Sequence, residues 1–376
     1  MNKKEILEVR KQFTPENCTI SRICGCYVDG EKNIILEHRE AFGSLQEEEA
    51  FKYFDIFKKT LSGSLGKNLM NMEFPLSSEA PGGSHDLLMK LRECHLKDEM
   101  LTSEFFRKVI EHYSYDLNYY IILISAVYDV PGKASDNLEM FDASDQVYDF
   151  ILCSICPVNL SKAGLAYEPQ NNCIQDRIRD WIVAAPANGF LFPAFNDRAT
   201  DLHGTLFYSK KPEELHPDFV NEVLGCVPPL SAGDQKETFQ TMITEALGED
   251  CDYETVRNLH ENLNEIIEIN KENPDPITLT GTEVRDVLED SGVPQEKIQK
   301  FQEDFAESVT ADTPILINNV ADTRQFKIET ADVSIKVKPD RIDLVETKEV
   351  DGRTCLVIPI NDKIEVNGMP VNVKKN

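Results

Sequence analysis

Acidic, basic and imidazole side chains gather in one short segment of the chain, which contains Asn196, Asp197, Arg198, Asp201 and His203. Two carboxylates, a guanidinium and an imidazole are groups that a general acid–base site uses, provided that the surroundings separate their pKa values. The same groups also suit ligand binding. A charged β-turn, in which Arg198 pairs with a carboxylate, is the simplest explanation of the pattern. We therefore take these five residues as candidates for ligand binding and assign no catalytic residue.

A second pattern is the pair Cys153 and Cys156, which Pro157 follows. This spacing occurs in redox pairs and in zinc sites. A redox pair normally begins a helix, whereas this pair lies within or at the end of an apparent strand. A zinc ion would need two further ligands, and only Cys173 is nearby. We interpret the pair as buried core thiols and predict no metal and no cofactor.

Three weaker patterns are also present. The segment Cys24-Gly25-Cys26 puts two thiols on the same face of a strand, which permits metal ligation but fits core packing better. Residues 62–68 resemble a phosphate-binding loop faintly, but their glycines are too close together and a helix precedes them. Two short helices flank Ser291-Gly292-Val293, but the second is not basic, so we expect no DNA reading. The usual hydrolase, metalloprotease and dinucleotide motifs do not occur, and we lean against an enzyme without deciding the question.

Helices and strands alternate in the segments that would position these residues. Apolar residues recur every three or four positions over 46–61, which predicts a helix. Residues 18–28 and 34–36 around Asp29-Gly30 predict a β-hairpin. Tyr119–Val127 and Tyr148–Ile155 predict buried strands. We also expect a helix over 3–12, two helices over 85–112, short strands over Phe190–Phe195 and Thr205–Tyr208, a loop over Pro131–Ser144, and a helix over 174–184 that carries Trp181.

The chain changes character near Pro228-Pro229. Residues 231–310 hold 20 Asp and Glu against six Lys and Arg, about half of the total net charge. Helical stripes of apolar residues run through this stretch, and Ser231 and Asp234 have the spacing of a capping box. From Pro314 onward apolar and polar residues alternate, with hairpin signals at Asp351-Gly352 and Asn367-Gly368.

The formal net charge of −27 limits the partners that the protein can have. So acidic a chain repels nucleic-acid phosphate and anionic lipid unless basic groups are concentrated, and only isolated lysine pairs occur. Nucleic acid is therefore an unlikely partner, and we expect no membrane association. The first residues lack the apolar segment of a secretory signal, and ten cysteines are too few for a dense disulfide framework. We expect a cytoplasmic protein.

Several segments resemble one known family. They are Phe13–Cys18, Arg22–Asp29, Lys59–Gly63, Gly189–Arg198, Leu206–Tyr208, Pro229–Ala232 and Gln235–Phe239. Together they resemble the bacterial family called domain of unknown function 4317, over essentially the whole chain. The resemblance implies no activity and supplies no catalytic residues. The order of elements is also weakly similar to that of bacterial nucleoid-associated proteins, by organisation alone.

These observations predict an α/β or α+β protein with a mixed sheet and helices. We expect a mixed body over 1–228, an acidic helical module over 229–310 and a β-rich C-terminal segment over 311–376. The leading functional hypothesis is a non-catalytic binding or scaffolding protein that binds a protein partner through the acidic helical module. The alternatives are an enzyme that uses Asp197, Arg198, Asp201 and His203, and a nucleoid-associated-like protein. The oligomeric state stays open.

Overall fold

A computed structural model describes residues 1–133, 139–308, 314–322, 325–360, 364–366 and 368–371. The chain forms two compact units, one made of Met1–Asp234 with Pro274–Pro276 and the other of Gln235–Asn273 with Ile277–Asn376. The described residues combine helices with a large antiparallel sheet, so the predicted mixed α and β fold is confirmed. Among them, no helix has both the length and the apolar composition needed to cross a membrane.

The first unit supplies the large sheet and the helices that cover it. Its α-helices are α1 (Lys3–Arg10), α2 (Glu47–Thr60), α3 (Ser84–Glu93) and α4 (Glu99–His112), with a 3-10 helix at Phe42–Ser44 and a π-helix at Phe219–Leu224. Its strands are β1 (Ile20–Val28), β2 (Ile34–Ala41), β3 (Leu69–Glu73), β4 (Tyr119–Lys133), β5 (Glu139–Leu160), β6 (Leu165–Glu168), β7 (Cys173–Asp176), β8 (Trp181–Val183), β9 (Asn188–Phe192), β10 (Ala194–Asn196), β11 (Ala199–Asp201) and β12 (Gly204–Ser209).

The large sheet has the strand order β2–β1–β4–β5–β9–β12–β3, and β8 adds to β5. All of these pairings are antiparallel. The central strands β4 and β5 contain near-continuous apolar runs because both of their faces are covered, which leaves few positions for polar residues. At the centre Leu123 lies opposite both Cys24 and Cys153, and Phe190 continues the row on β9.

Two hydrophobic cores lie on opposite sides of this sheet, since successive side chains of a strand point to opposite faces. Leu123, Cys153 and Phe190 point to the side covered by α3, α4 and the π-helix, which we call the α4 face. Ile122 and Leu152 point to the side covered by α1 and α2, which we call the α2 face. The first unit is therefore a three-layer structure with the antiparallel sheet in the middle.

Two sequence predictions in this unit are wrong. The loop expected over Pro131–Ser144 is strand at residues 131–133 and 139–144, because the β4–β5 ladder continues past the core, with Val130 opposite Gln146 and Gly132 opposite Met140; residues 134–138 lie outside the described part. The helix expected over 174–184 is replaced by β7, which pairs with β6, and β8, which pairs with β5. In both segments strand pairing outweighs the preference suggested by the local pattern.

The second unit builds a smaller core from the acidic helices. Its helices are α5 (Ala232–Leu247, which begins in the first unit), α6 (Tyr253–Ile269), α7 (Gly281–Asp290), α8 (Gln295–Ser308) and α9 (Ile317–Val320), with a 3-10 helix at Gly248–Asp250. The predicted stripe of α5 is buried, as are residues of α6, α7 and α8. The predicted capping box is present, since Ser231 Oγ accepts from the Asp234 amide at 3.0 Å and Asp234 Oδ2 accepts from the Ser231 amide at 3.3 Å.

The C-terminal segment consists mainly of hairpins. The strands of the second unit are β13 (Thr278–Leu279), which pairs with β14, and then β14 (Ile315–Leu316), β15 (Phe326–Glu329), β16 (Ser334–Val337), β17 (Glu346–Val350), β18 (Arg353–Val357), β19 (Ile364–Val366) and β20 (Met369–Val371). The turn predicted at Asp351-Gly352 joins β17 to β18, with both residues at positive φ. Asn367 lies outside the described residues, although β19 and β20 pair on either side of it. The alternating pattern at Ile342 and Leu344 forms a 3-10 helix at Pro339–Leu344, contrary to the strand predicted there.

Replacing Phe190 with alanine should destabilise the first unit by about 3–5 kcal/mol, because a fully buried ring is lost from the α4 face. Phe51→Ala is the matched control, since the Phe51 side chain is 41% exposed and its loss should cost less than about 1 kcal/mol. Denaturant unfolding followed through Trp181, the single tryptophan, measures both variants. Equal destabilisation by the two substitutions would contradict the packing described above.

Candidate functional site

Four of the five predicted ligand-binding residues lie on one tight hairpin, and His203 follows it directly. Asp197 and Arg198 form the two-residue turn between β10 and β11, with φ of 51° and 58°, as a type I′ turn requires. Asp201 closes the hairpin, because its Oδ2 accepts from Asn196 Nδ2 at 2.6 Å and its Oδ1 accepts from the His203 amide at 3.0 Å. The residues are neighbours through local turn geometry.

The charged side chains of this hairpin have separate partners. Arg198 donates from Nε and Nη2 to the Glu8 carboxylate of α1 at 2.8–3.1 Å, and Tyr128 Oη donates to Glu8 Oε1 at 2.9 Å. His203 is 72% exposed and lies with Nδ1 2.5 Å from Glu79 Oε1, a contact that raises the pKa of His203. The structure therefore brings the backbones together but directs the guanidinium and the imidazole to different carboxylates. That these residues bind a ligand stays a prediction.

The two cysteines of the C-x-x-C pattern lie in separate cores. Cys153 is buried on the α4 face and Cys156 on the α2 face, because three positions along a strand reverse the side. They cannot share a metal ion, and burial raises the pKa of both thiols. Cys24 and Cys26 do share the α4 face, where burial raises the pKa of Cys26 to about 12. Within the described ranges, no three His, Cys, Asp or Glu side chains are grouped to hold a metal.

A Ser–His–Asp grouping that the sequence did not suggest lies near the start of α4. Ser125 Oγ is 3.4 Å and Asp149 Oδ1 is 3.5 Å from the same atom, His95 Nδ1. A hydrolytic triad needs the hydroxyl and the carboxylate on opposite ring nitrogens. Ser125 is also fully buried, and burial raises the pKa of Asp149. These three residues therefore match a catalytic triad in residue type but not in geometry.

A cleft lies on the α2 face, beside the edge strand β2. Two overlapping cavities of about 400 Å³ each compose it. They share Glu49 and Tyr53 of α2, Tyr120 of β4 and Val183 of β8. The remaining lining residues are Tyr27, Leu36, His38, Glu40, Gln46, Glu48, Lys52, Ile56, Val158 and Trp181. We call this feature the cleft.

A chain of four polar side chains crosses the floor of the cleft. Glu40 Oε1 lies 3.2 Å from His38 Nδ1, which is an ion-pair distance without hydrogen-bond alignment. His38 Nε2 lies 2.5 Å from Tyr120 Oη, and Tyr120 Oη lies 3.2 Å from Tyr53 Oη. Burial raises the pKa of Tyr53 and, far more strongly, that of Tyr120. Both phenols therefore stay protonated, as hydrogen-bonding groups and not as bases.

Gly25 makes the centre of this chain possible. It lies opposite His38 on β2 and Ile122 on β4. A Cβ atom at position 25 would overlap both His38 Nε2 and Tyr120 Oη. Glycine inside a strand often marks such a close approach. The segment Cys24-Gly25-Cys26 therefore did contain a signal for the cleft, carried by its glycine and not by its cysteines.

Comparison with known proteins gives a family and no activity. A family model described as Domain of unknown function (DUF4317) matches residues 1–369. No curated protein matches the chain. The function therefore has to be argued from the geometry of the cleft.

Gly25→Ala should displace His38 from Tyr120 and destabilise the first unit by about 2–4 kcal/mol, because the new methyl group overpacks the centre of a sheet. Gly43→Ala is the control, since a Cβ atom there meets nothing within 4 Å. Urea unfolding measures the loss, and NMR of the His38 ring protons reports the displaced contact. Unchanged His38 resonances in Gly25→Ala would contradict the role of this glycine.

Glu8→Gln should destabilise the first unit by about 1–2 kcal/mol, because the partly buried carboxylate holds both Arg198 and Tyr128. Glu214→Gln is the control, because its ion pair with Lys211 is exposed and its removal should leave stability unchanged. Thermal unfolding of both variants tests this. Equal melting temperatures for the two would show that the Arg198 turn is not held by Glu8.

Proposed function

The chain belongs to the family described as Domain of unknown function (DUF4317), and we propose that it is a non-catalytic binding protein whose ligand occupies the cleft. The observation that carries the proposal is a cavity with aromatic and aliphatic walls around a small group of converging polar side chains. Tyr27, Trp181 and Val183 supply apolar wall, whereas His38 and Tyr120 supply polar floor. Small-molecule sites commonly combine these features at volumes of about 300–1,000 Å³.

The protonation of the cleft tyrosines supports binding over catalysis. A general base works best when its pKa lies near the operating pH. Burial moves the pKa of Tyr120 and of Tyr53 in the opposite direction. The same holds for the buried thiols Cys153 and Cys156, whose pKa values are raised and which therefore disfavour the nucleophilic thiolate. The protonated hydroxyls of Tyr53 and Tyr120 can instead form hydrogen bonds with a bound ligand.

The enzyme hypothesis built on Asp197, Arg198, Asp201 and His203 receives less support. An acid–base pair must reach a common reacting atom. Arg198 instead contacts Glu8, and His203 contacts Glu79 from an exposed position. The nucleoid-associated alternative also receives less support, because a net charge of −27 repels nucleic-acid phosphate.

Two further parts of the proposal come from the sequence. We place the protein in the cytoplasm, and the ten free thiols suit a reducing compartment. The acidic helical module is the predicted surface for a protein partner, and its helices keep their apolar stripes inside and their acidic residues outside. Charge alone identifies no particular partner, so the proposal is based on the cleft and not on the acidic surface.

A thermal-shift screen with small molecules of varied charge, followed by titration of the hits, tests the proposal. We expect at least one compound that raises the melting temperature and changes the fluorescence of Trp181, which lies in the wall of the cleft. Val183→Phe should weaken its binding at least about tenfold, because the larger side chain fills the shared part of both cavities. Val183 is 42% exposed, so the fold should tolerate the change.

Val333→Phe is the matched control, since Val333 is 54% exposed and belongs to the second unit. Its binding should equal that of the parent protein. Hits that bind Val183→Phe as tightly as the parent would place the site elsewhere. A screen without any compound that perturbs Trp181 would also defeat the proposal.

A further inference from the structure

The floor of the cleft brings carboxylate, imidazole and phenol groups together. Glu40 Oε1 lies 3.2 Å from His38 Nδ1, and His38 Nε2 lies 2.5 Å from Tyr120 Oη. Tyr120 Oη in turn lies 3.2 Å from Tyr53 Oη, and either phenol can be the donor of that bond. With either direction, the Tyr53 oxygen keeps a lone pair that can accept from a ligand.

The cavity lined by His38, Glu40 and Tyr53 presents oxygen acceptors to a ligand. Glu49 and Glu40 line the same cavity and are carboxylates. Among the described residues that line this cavity there is no Lys or Arg, whereas Lys52 lines the neighbouring cavity. A ligand group seated here meets oxygen acceptors and negative charge.

The aromatic and aliphatic walls of the cavity also favour a positively charged ligand. Tyr27, Tyr53 and Trp181 line the cavity with aromatic rings. Aromatic faces attract organic cations, by about 0.5–1 kcal/mol at exposed sites. Leu36, Val158 and Val183 complete an apolar surface that would cover an aliphatic body. The lining thus combines acceptors for N–H donors with surfaces suited to a cation.

We infer that the cleft binds an aliphatic ammonium group, with the nitrogen near Tyr53 and Glu49 and the carbon chain along Val183 and Trp181. The inference rests on the proposed function, which it narrows to a ligand class. Two sources carry this chemistry, a free alkylamine and the side chain of a lysine in a peptide. Their shared feature is a primary ammonium at the end of a short methylene chain.

Four probes of similar length test the inference, namely hexylammonium, hexanol, hexanoate and Nα-acetyl-lysine methylamide, each titrated against the full chain and followed through Trp181 fluorescence. Millimolar affinity is expected for ligands so small. Hexylammonium should bind at least about fivefold more tightly than hexanol, the gain of a partly exposed charge pair with an added charge-assisted hydrogen bond. Hexanoate should bind more weakly than hexanol. The lysine derivative separates the sources, since tighter binding than hexylammonium indicates a peptide lysine and weaker binding a free amine.

Glu49→Gln should weaken hexylammonium about threefold and leave hexanol unchanged, because only the ammonium loses a charge partner. Glu47→Gln is the control: Glu47 lies in the first turn of the same helix and makes the same change in net charge, but it is not part of the lining. Its affinities should match those of the parent. Melting temperatures verify that both variants are folded.

The possible results distinguish a wrong ligand class from a wrong binding site. If hexanol or hexanoate binds as tightly as hexylammonium and Val183→Phe abolishes that binding, the cleft is a binding site but not for ammonium. If Val183→Phe leaves hexylammonium binding intact, the cleft itself is the wrong site. If hexylammonium and the lysine derivative both fail to perturb Trp181 at millimolar concentration, the ammonium assignment is wrong.

Discussion

The period-two alternation of side chains in β4 and β5 is the constraint on which the first unit depends. These strands are covered on both sides, so each successive residue must suit a different core. Ile121 packs on the α4 face while Tyr120 and Ile122 pack on the α2 face. The same alternation separates Cys153 from Cys156 and removes the metal and redox chemistry that their spacing suggests. It also brings Tyr120 to the one side where α2 and the edge of the sheet leave a cleft.

The cleft exists because the α2 face is well covered at the centre of the sheet and poorly covered at its edge. Phe57 and Leu152 are fully buried on this face, whereas every residue of β2 is exposed or only half-buried. Tyr120 lies at the transition between these regions, which leaves its ring buried and its hydroxyl beside His38. Such a border can hold polar groups that pair with one another and still face a ligand. Gly25 permits the closest of these contacts by having no side chain.

Local patterns predicted much of the fold and little of the candidate site. The helices over residues 47–60 and 253–269 and the β1–β2 hairpin follow from periodicity and turn residues that act within a few positions. Predictions failed at 131–133 and 139–144, where the β4–β5 ladder continues through polar, turn-rich residues, and within 174–184, where β7 and β8 replace the expected helix. The cleft was missed because its lining comes from separate segments between Tyr27 and Val183, which no local pattern connects. The hairpin at 194–201, in contrast, was easy to notice because its residues are close in sequence, and that closeness says nothing about chemistry.

Overall charge and local hydrogen bonding constrain ligands over different distances. A net charge of −27 attracts cations of every kind, but exposed charges are screened over about 8–10 Å at ordinary ionic strength. His38, Tyr120 and Tyr53 are instead held together by contacts of 2.5–3.2 Å, which salt screens much less. An acidic surface thus raises the local concentration of basic partners without choosing among them. The lining of the cleft can choose, because its carboxylate and phenol oxygens lie at fixed positions and accept from an N–H donor.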